Sequence, residues 1–573
     1  MASKPARKRL VPNRPVSKRP VLKVLDTGVS GLNDVLGGGL PLLSFNVIAG
    51  GPGSGKTTLA MQLLFANATP ERPGLFITLL GETSLKMLRY QQLFEFFDRS
   101  RVGSDVHFLN LSEEALTGDL DGVLMRIIVE IDRLRPGVVV VDSFRSLTRT
   151  VGSSASSVEI EHFVQRLAQH LTTWEVTSFL IGEYDHAELR EPIFTVADGV
   201  IWLSQEVDRS SVVRRLQVVK VRGMGPMPGL HTMRITHTGV QVFPRTPERP
   251  DDVVTKVGNR MSTGIAGLDE MMGGGIPAGD SLVLAGPTGT GKTTFAMRFV
   301  AAGLQAGEPA VIAIFEEHPE AYLERAKSVD VDLRSAIRNG MLRIIYLRPL
   351  DLSVDETLDE IRSAVGAIGA KRVVIDSISG FEMALAPAFR EDFRESLYRL
   401  IGALTDLGVT MFSTVEVVDQ EGSAGLQLTG YQVSFLTDDI VSLRYVEIEG
   451  ALRKALVVVK MRGSAHSREF REYEITLTGV LLRDSLREYD AILTGMPSRQ
   501  LRIPPPAYPG LTEQEVVVLE MLTRSGAMRP AEIATQTGLL AGSIEPILLR
   551  LIQLGYVSRK GVRFHADAQL SRI

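Results

Sequence analysis

Short, continuously apolar runs recur along this chain, separated by longer stretches of mixed polarity. Gly74 to Leu80, Val138 to Val141, Phe179 to Gly182 and Gly199 to Leu203 form one series. Ser281 to Ala285, Ala310 to Phe315, Arg372 to Ile375 and Val409 to Val415 form a second. A run that is apolar at nearly every position, not at every second one, suits a strand covered on both faces, as in a parallel sheet flanked by helices. The pattern predicts an α/β fold whose strands deliver their C-terminal ends to one side, where ligands bind.

Beyond Ile503-Pro504-Pro505-Pro506, a stiff and extended linker, the pattern changes. Thr512 caps a helix, with Glu515 at the capping-box position and Val516, Val517, Leu519 and Leu522 along it. Pro530 to Thr537 is a second short helix ended by Gly538. Ser543 caps a third, with an apolar stripe of Ile544, Ile547, Leu548, Leu551 and Ile552. Gly555-Tyr556-Val557 then turns into a short basic hairpin, Ser558 to Phe564. Three short helices and a strand pair look like a winged helix. Arg559, Lys560 and Arg563 would be its wing cations, but Arg550 is the one cation of a third helix that also carries Glu545, a poor surface for phosphates. A protein-interaction module is the preferred reading, and DNA binding the alternative.

The chemistry sits directly after one of the expected strands, Ser281 to Ala285. Gly286 to Thr294 reads G-P-T-G-T-G-K-T-T and fits the phosphate-cradling pattern G-x-x-x-x-G-K-[ST]. Pro287, Thr288, Gly289, Thr290 and Gly291 form the turn. Glycines are needed there because backbone N–H groups wrap a polyphosphate only where no Cβ obstructs. Lys292 supplies a point charge to the β/γ-phosphates, Thr293 a hydroxyl for Mg²⁺, and the helix opening at Thr293 and Thr294 turns its positive end to the anion. One such match could be accidental. A second occurs at Gly50 to Thr58, with Gly51, Pro52, Gly53, Ser54, Gly55, Lys56, Thr57 and Thr58 in the same roles.

The two lysines are 236 residues apart (292 − 56), and the match extends upstream at that offset. Thr27-Gly28-Val29-Ser30-Gly31-Leu32 stands against Thr263-Gly264-Ile265-Ala266-Gly267-Leu268, and Gly37 to Pro41 against Gly273 to Pro277. A period this long is a duplicated domain, not a solenoid unit. The expected organisation is a basic tail over 1–21, domains over 22–245 and 256–499, a Pro-rich linker over 500–509 and a small domain over 510–573.

Each copy carries further groups suited to phosphoryl transfer. Asp142 and Asp376 end apolar runs and lie 234 residues apart (376 − 142), matching the lysines, which marks both as metal-holding carboxylates. Glu82, and Glu316 with Glu317, follow a neighbouring run and would stand near an attacking water. Lys220-Val221-Arg222-Gly223 and Lys460-Met461-Arg462-Gly463 repeat near each domain's end, and their cations are read as phosphate contacts.

At this point the chain resembles the KaiC-type circadian-clock ATPases over roughly Leu22 to Arg499, through the duplicated leader and phosphate loops, Glu316-Glu317, Asp376-Ser377 and the two Lys-x-Arg-Gly elements. The resemblance implies RecA-like domains, ATP and Mg²⁺ as cofactors, and a homo-hexamer with ATP between neighbours, where Lys220, Arg222, Lys460 and Arg462 reach the neighbouring γ-phosphate. It also implies that Glu316 and Glu317 activate the nucleophile. Gly81-Glu82 departs from that pair, so the first site is expected to bind ATP chiefly for assembly and to hydrolyse it slowly. Family members autophosphorylate an adjacent Ser-Thr pair. Aligning Thr437-Asp438 places Ser434 and Phe435 there, so Ser434 alone would accept phosphate.

Composition narrows the alternatives. The chain has 573 residues, no cysteine and a formal net charge of −4. That removes disulfides and thiolate chemistry, suits a reducing cytoplasm, and gives no overall basic character for nucleic acid. No apolar run is long enough to span a bilayer. A ring ATPase in timing or signalling, with clock-type protein partners, is expected. A DNA-dependent ATPase of the RecA group is the alternative, and a regulator that binds ATP without turning it over is a third, weaker class.

Overall fold

The structure, a computed structural model, describes residues 22–79, 84–116, 119–143, 157–185, 188, 191–208, 211–245, 258–347, 352–390, 393–417, 437–490, 492, 498–499, 508 and 510–566. Its first half contains β1 (Phe45–Gly50), α1 (Lys56–Asn67), β2 (Gly74–Thr78), β3 (Val106–Asn110), α2 (Leu120–Leu134), β4 (Val138–Asp142), α3 (Ser157–Thr173), β5 (Thr177–Gly182), β6 (Gly199–Asp208), β7 (Ser211–Val221), β8 (His231–Thr236) and β9 (Gly239–Phe243). The second half repeats the series as β10 (Ser281–Gly286), α4 (Lys292–Gln305), β11 (Ala310–Ile314), α5 (Pro319–Ser328), β12 (Leu342–Tyr346), α6 (Val354–Ile368), β13 (Arg372–Asp376), α7 (Ile378–Ala384), α8 (Phe393–Asp406), β14 (Thr410–Glu416), β15 (Asp439–Ile448), β16 (Ala451–Met461), β17 (Arg471–Thr476) and β18 (Gly479–Ser485).

The two halves share one topology. The strand order β3-β2-β4-β5-β1-β6-β7-β8-β9 in the first sheet is matched by β12-β11-β13-β14-β10-β15-β16-β17-β18 in the second. The first six strands of each order are parallel, and the remaining ladder is antiparallel. These are tandem RecA-like domains of mainly parallel sheet with flanking helices.

Side-chain alternation explains why the apolar runs were continuous. Val47, Ala49, Leu75, Ile77, Val139 and Val141 point to one core, which α2 and α3 cover. Ile48, Phe76, Val138 and Val140 point to the other, under α1. With both faces dry, a strand has no polar face to keep. The second sheet divides in the same way, Leu282 and Leu284 to one side and Val283 and Ala285 to the other.

One end of the first domain touches the second. Arg234 of β8 pairs with Glu356 of α6 at 2.5 Å, and Arg245 with Glu395 of α8 at 2.5 Å. The Arg215 guanidinium lies 5.2 Å from the centre of the Phe389 ring.

The C-terminal unit comprises α9 (Glu513–Ser525), α10 (Pro530–Thr537), α11 (Ala541–Gln553), β19 (Val557–Lys560) and β20 (Arg563–Ala566), packed on a small core of its own. Thr512 and Glu515 form the expected capping box. Ser543 does not cap α11. The helix opens at Ala541, and the Ser543 hydroxyl donates back to the Leu540 carbonyl at 2.7 Å.

Candidate functional site

Both phosphate loops leave the C-terminal end of a fully buried strand, β1 or β10, and open a helix. The turn depends on glycine at one position above all. Gly55 (φ 98°) and Gly291 (φ 97°) are left-handed N-caps. A Cβ at Gly55 would stand 2.6 Å from Ile235 Cδ1, and one at Gly291 would stand 2.1 Å from Ile475 Cδ1. An isoleucine from the antiparallel extension thus seats each loop from beneath.

In the first site Lys56 Nζ donates to the Gly51 carbonyl at 2.7 Å, and Thr57 Oγ1 donates to Asp142 Oδ2 at 2.8 Å. Burial holds the lysine below its ordinary pKa, and the charges of Glu183 and then Asp142 oppose that shift. The second site matches it. Lys292 Nζ donates to the Gly286 and Pro287 carbonyls at 2.8 and 3.0 Å. Burial again lowers the lysine pKa, against the charges of Glu416, Asp376 and Glu316. Asp376 ends β13 half-buried, and lost hydration raises its pKa, while hydroxyl donors Thr414, at 2.5 Å, and Thr293 pull it back.

One aspartate and one phosphate-loop hydroxyl per site form a hard-oxygen donor pair. That fits Mg²⁺, which keeps waters and phosphate oxygens and needs no all-protein cage. The described residues contain no cluster of three or more acidic or histidine side chains that could hold a metal.

The structure separates the two glutamates. Glu316 Oε1 accepts from Ser377 Oγ at 2.8 Å, beside Asp376, and its charge acts on Lys292. Glu317 Oε1 instead accepts from Arg325 Nη2 at 2.8 Å. The duplicated sequence gives their counterparts in the first domain: at the offset of 236, Glu316 and Glu317 correspond to Leu80 (316 − 236) and Gly81 (317 − 236), which lie outside the described residues. Glu82 and Ser434 lie outside the described residues.

The repeated Lys-x-Arg-Gly cations stand at the other end of each sheet. Arg222 pairs with Asp198 at 3.0 Å, and Asp198 Oδ2 accepts from the Phe45 amide at the start of β1. Arg462 pairs with Asp438 at 3.4 Å, and Asp438 Oδ2 accepts from the Ser281 amide at the start of β10. Lys220 and Lys460 donate to the carbonyls of Thr195 and Thr437 at 3.3 and 2.6 Å. A β-bulge precedes each lysine, between the pairs Val200/Ile201 and Ile440/Val441, and turns the strand end there. The length of β1 or β10, about 17 Å at the usual rise, therefore separates these cations from their own phosphate loop.

Sequence reasoning missed Glu183 and Glu416, the glutamates that follow β5 or end β14, beside each phosphate-loop strand. The signal was present, because the next residue after each apolar run, Phe179 to Gly182 and Val409 to Val415, is glutamate.

Comparison with known proteins agrees with this geometry. The family model described as "ATPase: KaiC" matches residues 25–247 and 261–486, one stretch per sheet. The circadian clock oscillator protein KaiC of Parathermosynechococcus lividus is 31% identical over 487 residues, covering 82% of this chain and 88% of that protein. The circadian clock oscillator protein KaiC 1 of Synechocystis sp. is 30% identical over 502 residues, covering 85% and 94%. KaiC of Synechococcus elongatus is 30% identical over 498 residues, covering 84% and 93%. With its two phosphate loops, two half-buried strand-end aspartates and two matching sheets, the chain belongs to the KaiC family of ATPases.

Proposed function

We propose that this ATPase works as a homo-oligomeric ring, a hexamer by likeness to its family, that holds ATP between neighbouring chains and hydrolyses it mainly in the second domain. A role in circadian-type timing or signalling, with protein partners, follows from the same likeness. The observation that carries the ring is the position of Lys220, Arg222, Lys460 and Arg462. Anchored at the end of each sheet away from the chain's own phosphate loop, they are available to a neighbour's γ-phosphate. An arginine supplied in trans stabilises charge that develops only during transfer.

In the second site the phosphate-loop amides and Lys292 bind the β- and γ-phosphates, and Thr293 with Asp376 holds Mg²⁺. The metal, when bound, neutralises charge on the transferring phosphate. Glu316 lies beside these groups and accepts the proton of the attacking water. Glu317, tied to Arg325, orients the strand end and contributes less.

Losing a general base costs about 10²–10⁴ in rate. Glu316→Gln is expected to remove most steady-state ATP turnover of the full chain, by about 10²-fold in the second site, and Glu317→Gln to remove less. Survival of most turnover in the Glu316→Gln, Glu317→Gln double variant would contradict this assignment.

The C-terminal unit is read as a winged-helix-like module that faces protein. Arg550, the cation of α11, pairs with the buried Glu515 at 3.1 Å, while Leu540 and Leu549 are exposed. Phosphate contact would need that cation free.

A further inference from the structure

We infer that Glu183 is the carboxylate that orients the attacking water in the first site, an inference that rests on reading that site as an ATP pocket. The first domain has to find this carboxylate elsewhere, because at the offset of 236 its sequence has Leu80 and Gly81 where the second has Glu316 and Glu317. Neither side chain can accept a proton.

The sheet supplies a substitute one strand away. Gly182 pairs with Ala49 in the parallel ladder of β5 and β1, so Glu183 emerges beside Gly50, at the root of the phosphate loop. It is exposed, and its charge acts on Lys56 more strongly than that of Asp142. The second domain carries the same feature, since Glu416 pairs in register with Gly286.

The two glutamates differ in what holds them. Glu416 Oε1 accepts from the Thr288 hydroxyl at 2.5 Å, and its amide donates to Ser379 Oγ at 3.2 Å. Glu416 is thereby a tie for its own loop, in a site where Glu316 is present for water. At the shared offset of 236, Thr288 corresponds to Pro52 (288 − 236), which has no hydroxyl to engage Glu183. The first-domain carboxylate keeps its acceptor capacity for a water.

In the step this permits, the water oxygen bonds to the γ-phosphorus as the bond from that phosphorus to the β–γ bridging oxygen breaks. The electron pair leaves on the β-phosphate of ADP. One water proton passes to the Glu183 carboxylate and then to solvent, and inorganic phosphate is released.

The test uses the full chain carrying Glu316→Gln, so that the remaining phosphate release reports the first site. Into it are placed Glu183→Gln, Glu183→Asp or Glu82→Gln. Phosphate release and ATP retained after gel filtration are both measured, with Lys56→Ala as the reference for an emptied first site. Glu183→Gln is expected to lower the residual rate at least tenfold with retention of ATP unchanged, Glu183→Asp to restore part of it, and Glu82→Gln to stay within twofold. The inference is overturned if Glu183→Gln stays within twofold, if Glu82→Gln abolishes the rate, if no residual rate exists although ATP is held, or if Glu183→Gln loses the ATP itself. Retention no greater than that of Lys56→Ala before any change at position 183 would instead contradict the reading of the pocket.

Discussion

A lysine ammonium withdrawn from water loses basicity unless anionic charge replaces its hydration, and both phosphate-loop lysines are held in that condition. A bound triphosphate supplies the charge that surrounding carboxylates only partly provide. His231 shows the same physics without a ligand. It is fully buried, its Nδ1 accepts from the Arg245 amide at 2.9 Å, and Nε2–H donates to the Met227 carbonyl at 3.2 Å. Burial, with Arg245 adding to it, holds its pKa below 6.5. The folded state therefore binds fewer protons than the unfolded chain at mildly acidic pH, so this contribution is complete above about pH 6.5 and is lost as pH falls below it. Asp355, Glu356 and Asp376, raised by burial, act with the opposite sign as pH falls toward the carboxylate range. Between pH 7.5 and 5.5 the wild-type Tm should fall more than that of His231→Gln; equal slopes would remove His231 from the account. At position 434 the family-like serine has Phe435 as its neighbour. Mass spectrometry after incubation with ATP should find phosphate on the peptide that contains Ser434, and none there in Ser434→Ala. Unmodified wild-type peptide would end the autokinase reading at this site. At this scale the phosphate-loop residues were legible because their spacing is set by backbone geometry. The different bonding of Glu316 and Glu317 was not, since it depends on Ser377 and Arg325, which no local spacing connects to them.

The elements that carry the chemistry are those whose apolar runs were unbroken. β2, β4 and β5 were readable because both faces are dry, and their boundaries moved by only a residue or two. The antiparallel extensions were harder to read. In β7 buried and exposed positions mix along the strand, and the bulge before Lys220 breaks whatever alternation remains. It is these extensions that set Ile235 and Ile475 beneath the two loops. Alternation along β8 also gives the strand two duties: Met233 and Ile235 face the first loop, while Arg234 reaches Glu356 of the second domain. Ser543 was misread because a serine before an apolar stripe satisfies the capping pattern, yet Leu540 is the extended residue there.

For the molecule as a whole, duplication was plain from the offset of 236 between lysines, and the two sheets share a single strand order. Which end of the sheet receives the Lys-x-Arg-Gly cations was not legible, because strand direction and pairing place them there, and neither is written in a local motif. On the proposed ring reading, that placement leaves each pocket to be completed by a neighbouring chain. In the proposed ring, nucleotide joins chain to chain across these cations, and ligand that binds only the assembled form must drive assembly. The most direct test is the native mass of the full chain with and without ATP and Mg²⁺, in wild type and in Lys56→Ala and Lys292→Ala. A shift from single chains to a closed ring on adding ATP, weakened in Lys56→Ala, is the result predicted; a mass that stays at one chain, with no adenine nucleotide retained by either half, would contradict it.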